Sequence, residues 1–371
     1  MKLLHFSDTH LGFSEYTKID PASGLNQREK DFYDAWDQVV ESILWIRPDV
    51  VVHAGDLFHT PRPSNRAIRV ALESIQKISD AGIPFVIISG NHETPRIRAT
   101  GSIFESIALF ENVYAAYSSK YERFRIKDID FHCLPHCSLT EEMEAALHSV
   151  EIDPAAESNV LITHGAWSGK TLYGMGEFNE QLLPDVEGML GVKFDYIALG
   201  HYHRRVDIKD HVCYSGSTER TSLNEHNSQC GFLTIDLQNM HKQYHEIATR
   251  PMIKLPPLDC KDLTAVQIYD KLSQIADAGT ENAIVQLTLT DIKEHTFIKL
   301  DSRAVDEIFA KTFHLEKQFY RAAQSTDADL SSSRIESLPV EFERYMATVA
   351  DKELDQERLA KLGMEYLSQF E

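Results

Sequence analysis

No apolar run in the 371 residues approaches the length needed to cross a bilayer, which excludes a helical membrane span. The chain enters an apolar strand at once, Lys2 to Phe6, with no charged n-region, apolar h-region or cleavage site, so no leader is expected. Cysteine is scarce: five residues, an odd number at no repeated spacing, exclude a disulfide scaffold and fit a reducing compartment. Both absences point to the cytoplasm. One local cluster, His132-Cys133-Leu134-Pro135-His136-Cys137, has zinc-type residues but no second cluster at matching spacing. It reads as a strand turning at Pro135. Positive charge is also short, with 37 Lys and Arg against 57 Asp and Glu and a formal net charge of −20. That excludes polyanion affinity spread over the whole surface, so a nucleic-acid partner would need bound metal ions and a local basic strip, or help from another protein. Hydrophobic content of 43% and charged content of 25% describe an ordinary globular chain, with one large domain and one or two small ones.

What is present is a series of short apolar strands alternating with amphipathic helices. Between Arg28 and Ile46 the residues Phe32, Trp36, Val39, Val40, Ile43 and Leu44 recur at helical spacing, and Pro48 stops the helix. Val50-Val51-Val52 then reads as a strand buried on both faces, completing a βαβ unit. Ser64 caps a second helix carrying Ile68, Ala71, Leu72, Ile75 and Ile78, and Pro84 to Ser89 is the next strand. Residues 9–26 read as a surface loop. Residues 99–110 read as a helix whose Ile103, Phe104, Ile107, Leu109 and Phe110 are either well buried or part of a dimer surface. Beyond residue 113 strands are expected at Phe124 to Ile126, Ile129 to Leu134, Asn159 to Thr163, Tyr196 to Leu199, Val212 to Tyr214 and Gly231 to Leu237, the last closing the domain. Pro251, Pro256 and Pro257 mark a boundary, followed by a small strand–helix–strand pattern. Gln324 to Ser333 is polar and reads as a linker. In the tail, Phe342, Tyr345, Met346 and Val349 form one apolar stripe, and Leu354, Leu359, Leu362, Tyr366 and Phe370 a second. Forty or so residues are too few for a private core, so these stripes must dock on the main body or on another protein.

Chemistry-bearing residues gather at strand ends: Asp8 and His10, Asp56 and His59, Asn91 and His92, His164, and His201 and His203. A lone histidine beside an apolar strand is usually a packing residue. This set recurs in turns containing Gly55, Gly90, Gly165 and Gly200, which packing does not explain. Imidazole, carboxylate and one carboxamide, without thiolate, suit manganese, iron or zinc. Asp8, His10, Asp56, Asn91, His164, His201 and His203 are too many for one ion and suit two that share a bridge, for which Asp56 is best placed.

Asp8-Thr9-His10, Gly55-Asp56, Gly90-Asn91-His92-Glu93, His164 and Gly200-His201-Tyr202-His203 resemble the motifs of calcineurin-like metallophosphoesterases. More narrowly, Ser7-Asp8-Thr9-His10-Leu11-Gly12, Gly55-Asp56-Leu57-Phe58-His59 and Ser215-Gly216-Ser217-Thr218-Glu219 resemble the SbcD family, the prokaryotic nuclease subunit of the double-strand-break repair complex. The resemblance implies an α/β fold: a metallophosphoesterase β-sandwich flanked by helices over 1–250, a DNA-capping domain over 251–323, a linker over 324–336 and a helical ATPase-docking segment over 337–371. It implies two divalent ions, foremost Mn2+, one held by Asp8, His10, Asp56 and His203 and the other by Asp56, Asn91, His164 and His201. It makes His92 a non-ligand that protonates or stabilises the leaving oxygen, with His59 positioning the phosphate. Glu93 then orients His92 or its turn, or makes a surface salt bridge. The implied activity is 3′-to-5′ exonuclease and single-strand or hairpin endonuclease. The implied partners are DNA, an SbcC-type coiled-coil ABC ATPase bound through the C-terminal helices, and a second copy of the chain, with no membrane and a place at the nucleoid. A general metallophosphoesterase acting on small phosphodiesters or phosphoprotein would use the same ligands; Leu57-Phe58-His59 favours the nuclease. A metal-free scaffold is disfavoured by the complete ligand set.

Overall fold

The computed structural model describes residues 1–95, 98–167 and 181–322, together with positions 342, 346, 358, 359 and 361–363. Two compact units are present, Met1–Arg321 and Ala322–Glu371. The predicted linker and most of the two apolar stripes lie outside the described residues; Phe342, Met346, Leu359 and Leu362 are described and helical.

The larger unit follows the predicted order through its third strand. It runs β1 (Lys2–Phe6), α1 (Gln27–Ile46), β2 (Val50–His53), α2 (Asn65–Asp80), β3 (Phe85–Ile88), α3 (Phe104–Ile107), β4 (Val113–Ala116), β5 (Glu122–Ile126), β6 (Ile129–Leu134), α4 (Thr140–His148) and β7 (Ser158–His164). Asn26 opens α1 by accepting from the Arg28 and Glu29 N–H groups, and Ser64 opens α2 by accepting from the Ala67 N–H. Two six-stranded sheets face each other. One is ordered His241–Glu246, Gly231–Asp236, β1, β2, β3, β4, and the other Val206–Lys209, Val212–Tyr214, Tyr196–Gly200, β7, β6, β5. The valine run of β2 shows why both faces had to be apolar. Val50 and Val52 pack between the sheets with Val160, Ile162 and Ala198, while Val51 packs outward against α1 and α2 with Trp36 and Ile75.

Four expectations change. The 99–110 helix is broken: a 3-10 turn at Arg98–Thr100 is separated from the single α-turn of α3 by Gly101, whose φ of +70° no right-handed helix accommodates. Phe104 and Ile107 are buried, and Leu109 stands exposed. The start of the predicted surface loop is interior, since Thr9, His10, Leu11 and Phe13 are all buried. The domain does not close at Leu237, because the edge strand His241–Glu246 pairs antiparallel with Gly231–Asp236. Strands at Val113–Ala116 and Val206–Lys209 and helix α4 also went unforeseen.

A smaller parallel sheet follows, in which Ile284–Ile292 pairs with Met252–Lys254, Leu258–Asp259 and His314–Arg321. Ala265–Asp277, opened by a Thr264–Gln267 capping box, and Ser302–Ile308 cover it around Val285, Leu287 and Leu289. Its junction with the sandwich is a buried ion cluster. Asp31 of α1 accepts from Arg28 Nη1 at 2.8 Å and from Arg250 Nε and Nη2 at 2.6 and 2.7 Å. Arg250 also donates from Nη1 to the Asn282 carbonyl at 3.0 Å and lies over the Phe313 ring at 4.2 Å. Arg28, with no exposed surface, donates in turn to the Arg220 carbonyl at 2.6 Å.

Two histidines buried in the sandwich make folding pH-dependent. His5 Nδ1 bonds the Tyr196 hydroxyl across the sandwich at 2.9 Å, and burial pushes its imidazole down to about 3. Burial does the same to His53, whose Nε2 bonds Thr9 Oγ1 at 2.6 Å. Below the ordinary value of 6.5 the unfolded chain takes up protons that the native state refuses. Stability is therefore full above 6.5 and falls as pH drops towards 3, by about 1.4 kcal/mol per pH unit for each histidine. Urea unfolding of EDTA-treated protein at pH 7 and pH 5 measures the slope. His5→Gln, which keeps a partner for Tyr196, is expected to remove half of this contribution.

Candidate metal centre

Both sheets deliver ligand-type residues to one place, each from the C-terminal end of a strand. β1 runs into Asp8 and His10, β2 into Asp56 and His59, and β3 into Asn91 and His92. Across the sandwich β7 ends on His164, and Tyr196–Gly200 runs into His201 and His203. The turns are tight. Asp8, His10, Asp56 and His201 adopt left-handed backbone with φ of 53°, 44°, 57° and 108°, a region that non-glycine residues occupy only where the surrounding fold compels them. Glycine makes the remaining room: a Cβ on Gly90 would lie 2.1 Å from Asp56 Oδ1, and one on Gly200 2.1 Å from the Ala54 carbonyl.

Asp56 lies at the centre. Its Oδ2 is 3.3 Å from His164 Nε2 and 3.9 Å from His10 Nε2, and its Oδ1 accepts from the His92 N–H at 3.0 Å. His164 Nδ1 donates to the Ala54 carbonyl at 2.8 Å, while Asn91 Oδ1 sits 2.9 Å from Nε2. Two oxygen acceptors thus converge on one imidazole nitrogen, an arrangement that requires a positive charge between them. Burial pushes the His164 imidazole down, yet the Asp56 carboxylate overrides it and holds the group up at about 10. On Asp56 burial acts upward, and His164 pulls the carboxyl well below the usual range. Burial wins at Asp8, whose carboxyl is raised against the pull of His164 and His203.

On the other side, His10 Nε2 and His203 Nε2 face each other at 3.0 Å. Burial, then His92 and His203, push the His10 imidazole well below its ordinary value. Its buried Nδ1 has no partner among the described residues. Neutral imidazoles aimed at a common point beside carboxylates are a donor set for a borderline divalent cation. The ligand atoms of Asp8, His10 and His203, of Asp8, Asp56 and His164, and of His10, His59 and His92 each lie within 4.8 Å of one another. Asp8 and His10 each belong to two of these groups, and a divalent metal fits these residues. His201 joins through its N–H, which donates to Asp8 Oδ1 at 3.1 Å, and through its ring, 5.5 Å from that of His164. His92 stacks on His59 with ring centres 5.1 Å apart, and its Nδ1 donates to the His59 carbonyl at 2.9 Å.

Several further residues hold the ligand turns in place. Glu93 is buried rather than in a surface salt bridge: its Oε1 accepts from the Leu57 and Gly90 N–H groups at 3.2 and 3.0 Å, tying the turn after β2 to the turn after β3. Burial, with Asp56 adding to it, pushes the Glu93 carboxyl well above the usual range. Ser7 Oγ donates to Asp8 Oδ2 and meets Ser215 Oγ at 2.9 Å, and the Ser217 N–H donates to the His203 carbonyl at 3.0 Å. The Ser215-Gly216-Ser217 motif thus braces two ligand turns. Glu225 reaches His203 Nδ1 at 2.8 Å. No local motif marked Glu225, because the pair is 22 residues apart. The His132 cluster is structural, as the strand reading expected: His132 bonds the Tyr121 hydroxyl at 2.8 Å and Asn159 Oδ1 at 3.0 Å.

Residues 1–205 match the family model of calcineurin-like phosphoesterases. The chain is 30% identical over 287 residues to a DNA double-strand break repair protein Mre11 of Methanocaldococcus jannaschii, covering 74% of this chain and 71% of that protein. It is 28% identical over 324 residues to the protein of that name from Thermoplasma acidophilum, covering 83% and 82%. A phosphoester-hydrolysing enzyme with a divalent-metal centre follows from the matched region and the donor set inside it. The chain belongs to the calcineurin-like phosphoesterase family, within its Mre11 branch.

Proposed function

We propose that this chain is a manganese-dependent DNA nuclease of double-strand-break repair, acting as a 3′-to-5′ exonuclease and as a single-strand and hairpin endonuclease. The observation that carries the reading is the placing of Asp56 between His164 and His10, each within a group of candidate ligands, with a further histidine, His92, held beside them by the Asp56 carboxylate. Asp8, His10, Asp56 and His203 would hold one ion, and Asp56, Asn91, His164 and His201 the other. When bound, such ions supply Lewis-acid polarisation of the phosphoryl group and an acidified water. His92 works through its ring: Nδ1–H is committed to the His59 carbonyl, so Nε2 is the atom that delivers a proton to the leaving oxygen. His59, stacked on His92, sits where it can meet the phosphate.

Support for DNA as substrate comes from the relatives named above and from local charge. Arg62, three residues after His59, and Arg204, next to His203, are exposed and pair with no carboxylate among the described residues. They give a net-acidic chain positive charge beside the site. The small parallel sheet after residue 250 is proposed as the DNA cap, the segment after 336 as the dock for an SbcC-type ATPase, and a second copy of the chain as a partner.

The test is manganese-supplemented cleavage of end-labelled duplex and hairpin DNA, with bis(p-nitrophenyl) phosphate alongside. Cutting of DNA that EDTA abolishes supports the nuclease. Turnover of the small ester with DNA untouched would make the chain a general phosphodiesterase. His92→Ala is expected to keep its metal content by elemental analysis while losing about 10²- to 10⁴-fold in DNA cleavage, the usual worth of a positioned acid. Loss of metal in that variant would reassign His92 as a ligand.

A further inference from the structure

We propose that Glu225 is a positioning residue that sets the proton and the aim of His203, and so determines how tightly one of the two metal positions is held. The inference rests on the reading of His203 as a metal ligand. Glu225 is buried on the 3-10 turn Leu223–Glu225, within a segment to which no role has been given. Its Oε1 lies 2.8 Å from His203 Nδ1. Thr221 secures the carboxylate from both sides, its N–H donating to Oε2 at 2.8 Å and its hydroxyl to Oε1 at 2.9 Å. A carboxylate so placed only accepts, so the proton of a neutral His203 belongs on Nδ1 and the lone pair on Nε2. That Nε2 is the atom facing His10 Nε2 at 3.0 Å.

The neighbouring histidines sharpen the point, because their second nitrogens differ. His164 Nδ1 donates to the carbonyl of Ala54, and His92 Nδ1 to the carbonyl of His59. His10 Nδ1 has no partner among the described residues. At His203 the contact of Nδ1 is instead with a carboxylate, Glu225 Oε1. A carboxylate behind an imidazole fixes its tautomer and ring orientation and makes it a stronger donor, and losing such a partner typically weakens metal binding 10- to 100-fold. The loss should fall on the position shared by Asp8, His10 and His203 and spare the one around His164 and Asn91.

The experiment uses full-length protein stripped with EDTA and has two readouts independent of turnover. The first is ¹⁵N-histidine NMR of the metal-free protein; the second is Mn2+ titration followed by calorimetry and EPR. Wild type is expected to show His203 protonated on Nδ1 and to take up two Mn2+ that give a spin-coupled signal. In Glu225→Ala, His203 should become a mixture of tautomers, one Mn2+ should weaken 10- to 100-fold, and the coupled signal should give way to that of an isolated ion. Glu225→Gln, of the same shape, supplies the comparison should the alanine variant fail to fold. With its oxygen taken by the Thr221 N–H, its amide turns an N–H towards Nδ1 and moves the ring proton to Nε2, so the same Mn2+ should weaken. Either folded variant binding two Mn2+ like wild type, with the His203 tautomer unchanged, would overturn the role of Glu225. Wild type that binds no Mn2+ would instead overturn the metal reading of His203.

Discussion

Asp56→Ala is expected to lower phosphodiester hydrolysis by at least about 10³-fold and to reduce bound metal. The magnitude follows from what the carboxylate does. It is the acceptor placed between His164 at 3.3 Å and His10 at 3.9 Å, and it also holds the backbone of His92 at 3.0 Å. Removing it strips negative charge from between the two groups of ligands and releases the turn that carries the proposed acid. Stabilisation by metal of the charge that develops in such a reaction amounts to several kcal/mol, and each 1.36 kcal/mol is a factor of ten in rate. Asp56→Asn separates the effects, since the amide can still accept from the His92 N–H while lacking the charge. If Asn restored more than a tenth of wild-type activity, geometry rather than charge would be the main contribution. Elemental analysis of both variants after dialysis supplies the second reading, and full metal content with full activity in the alanine variant would remove Asp56 from the centre altogether.

The second large effect is on stability and lies away from the site. Asp31→Ala is expected to destabilise the protein by about 3–5 kcal/mol, the usual result of removing one member of a buried ion pair. Burial acts to raise the Asp31 carboxyl, yet Arg250 and Arg28 hold it below the usual range. Taking it away leaves two guanidinium groups with almost no water contact, Arg28 at 0% and Arg250 at 7% side-chain exposure. At about 2 °C per kcal/mol for a chain of this size, Tm should fall by roughly 6–10 °C. Adding Arg250→Met to Asp31→Ala should recover part of the loss, because one stranded charge is removed with its partner. A single-variant effect below about 1 kcal/mol would mean that water reaches the cluster when the carboxylate goes.

How much could be read from residues alone divides along a physical line. The buried strands β1, β2, β3 and β7 were legible because an element covered on both faces must be apolar throughout. The seven residues proposed as ligands could be picked out because each ends or follows such a strand within a few residues. His241–Glu246 was not: its sequence His-Lys-Gln-Tyr-His-Glu is an edge strand with mostly polar side chains, and nothing in it distinguishes a ladder partner from a loop. The break at Gly101 was overlooked because apolar spacing continued past it. Glu93 was legible as a support for its own turn but its reach to the Leu57 N–H, 36 residues away, was not, and Glu225 went unmarked because His203 lies 22 residues away in the chain. Roles made by contact across the fold leave no local pattern.

The left-handed conformations of Asp8, His10, Asp56 and His201 limit how portable this centre is. A set of seven side chains copied onto another sandwich would arrive on backbones in relaxed conformations, and their ligand atoms would point elsewhere. What has to be transplanted is the set of turns with the crowding that enforces them, including Gly90 against Asp56 and Gly200 against Ala54. A designer grafting this activity should therefore move loops whole, and a protein engineer changing metal preference should vary the ligands while leaving those turns untouched. The same reasoning sets a test for remote relatives: matching side chains without matching glycines should be counted as a different site.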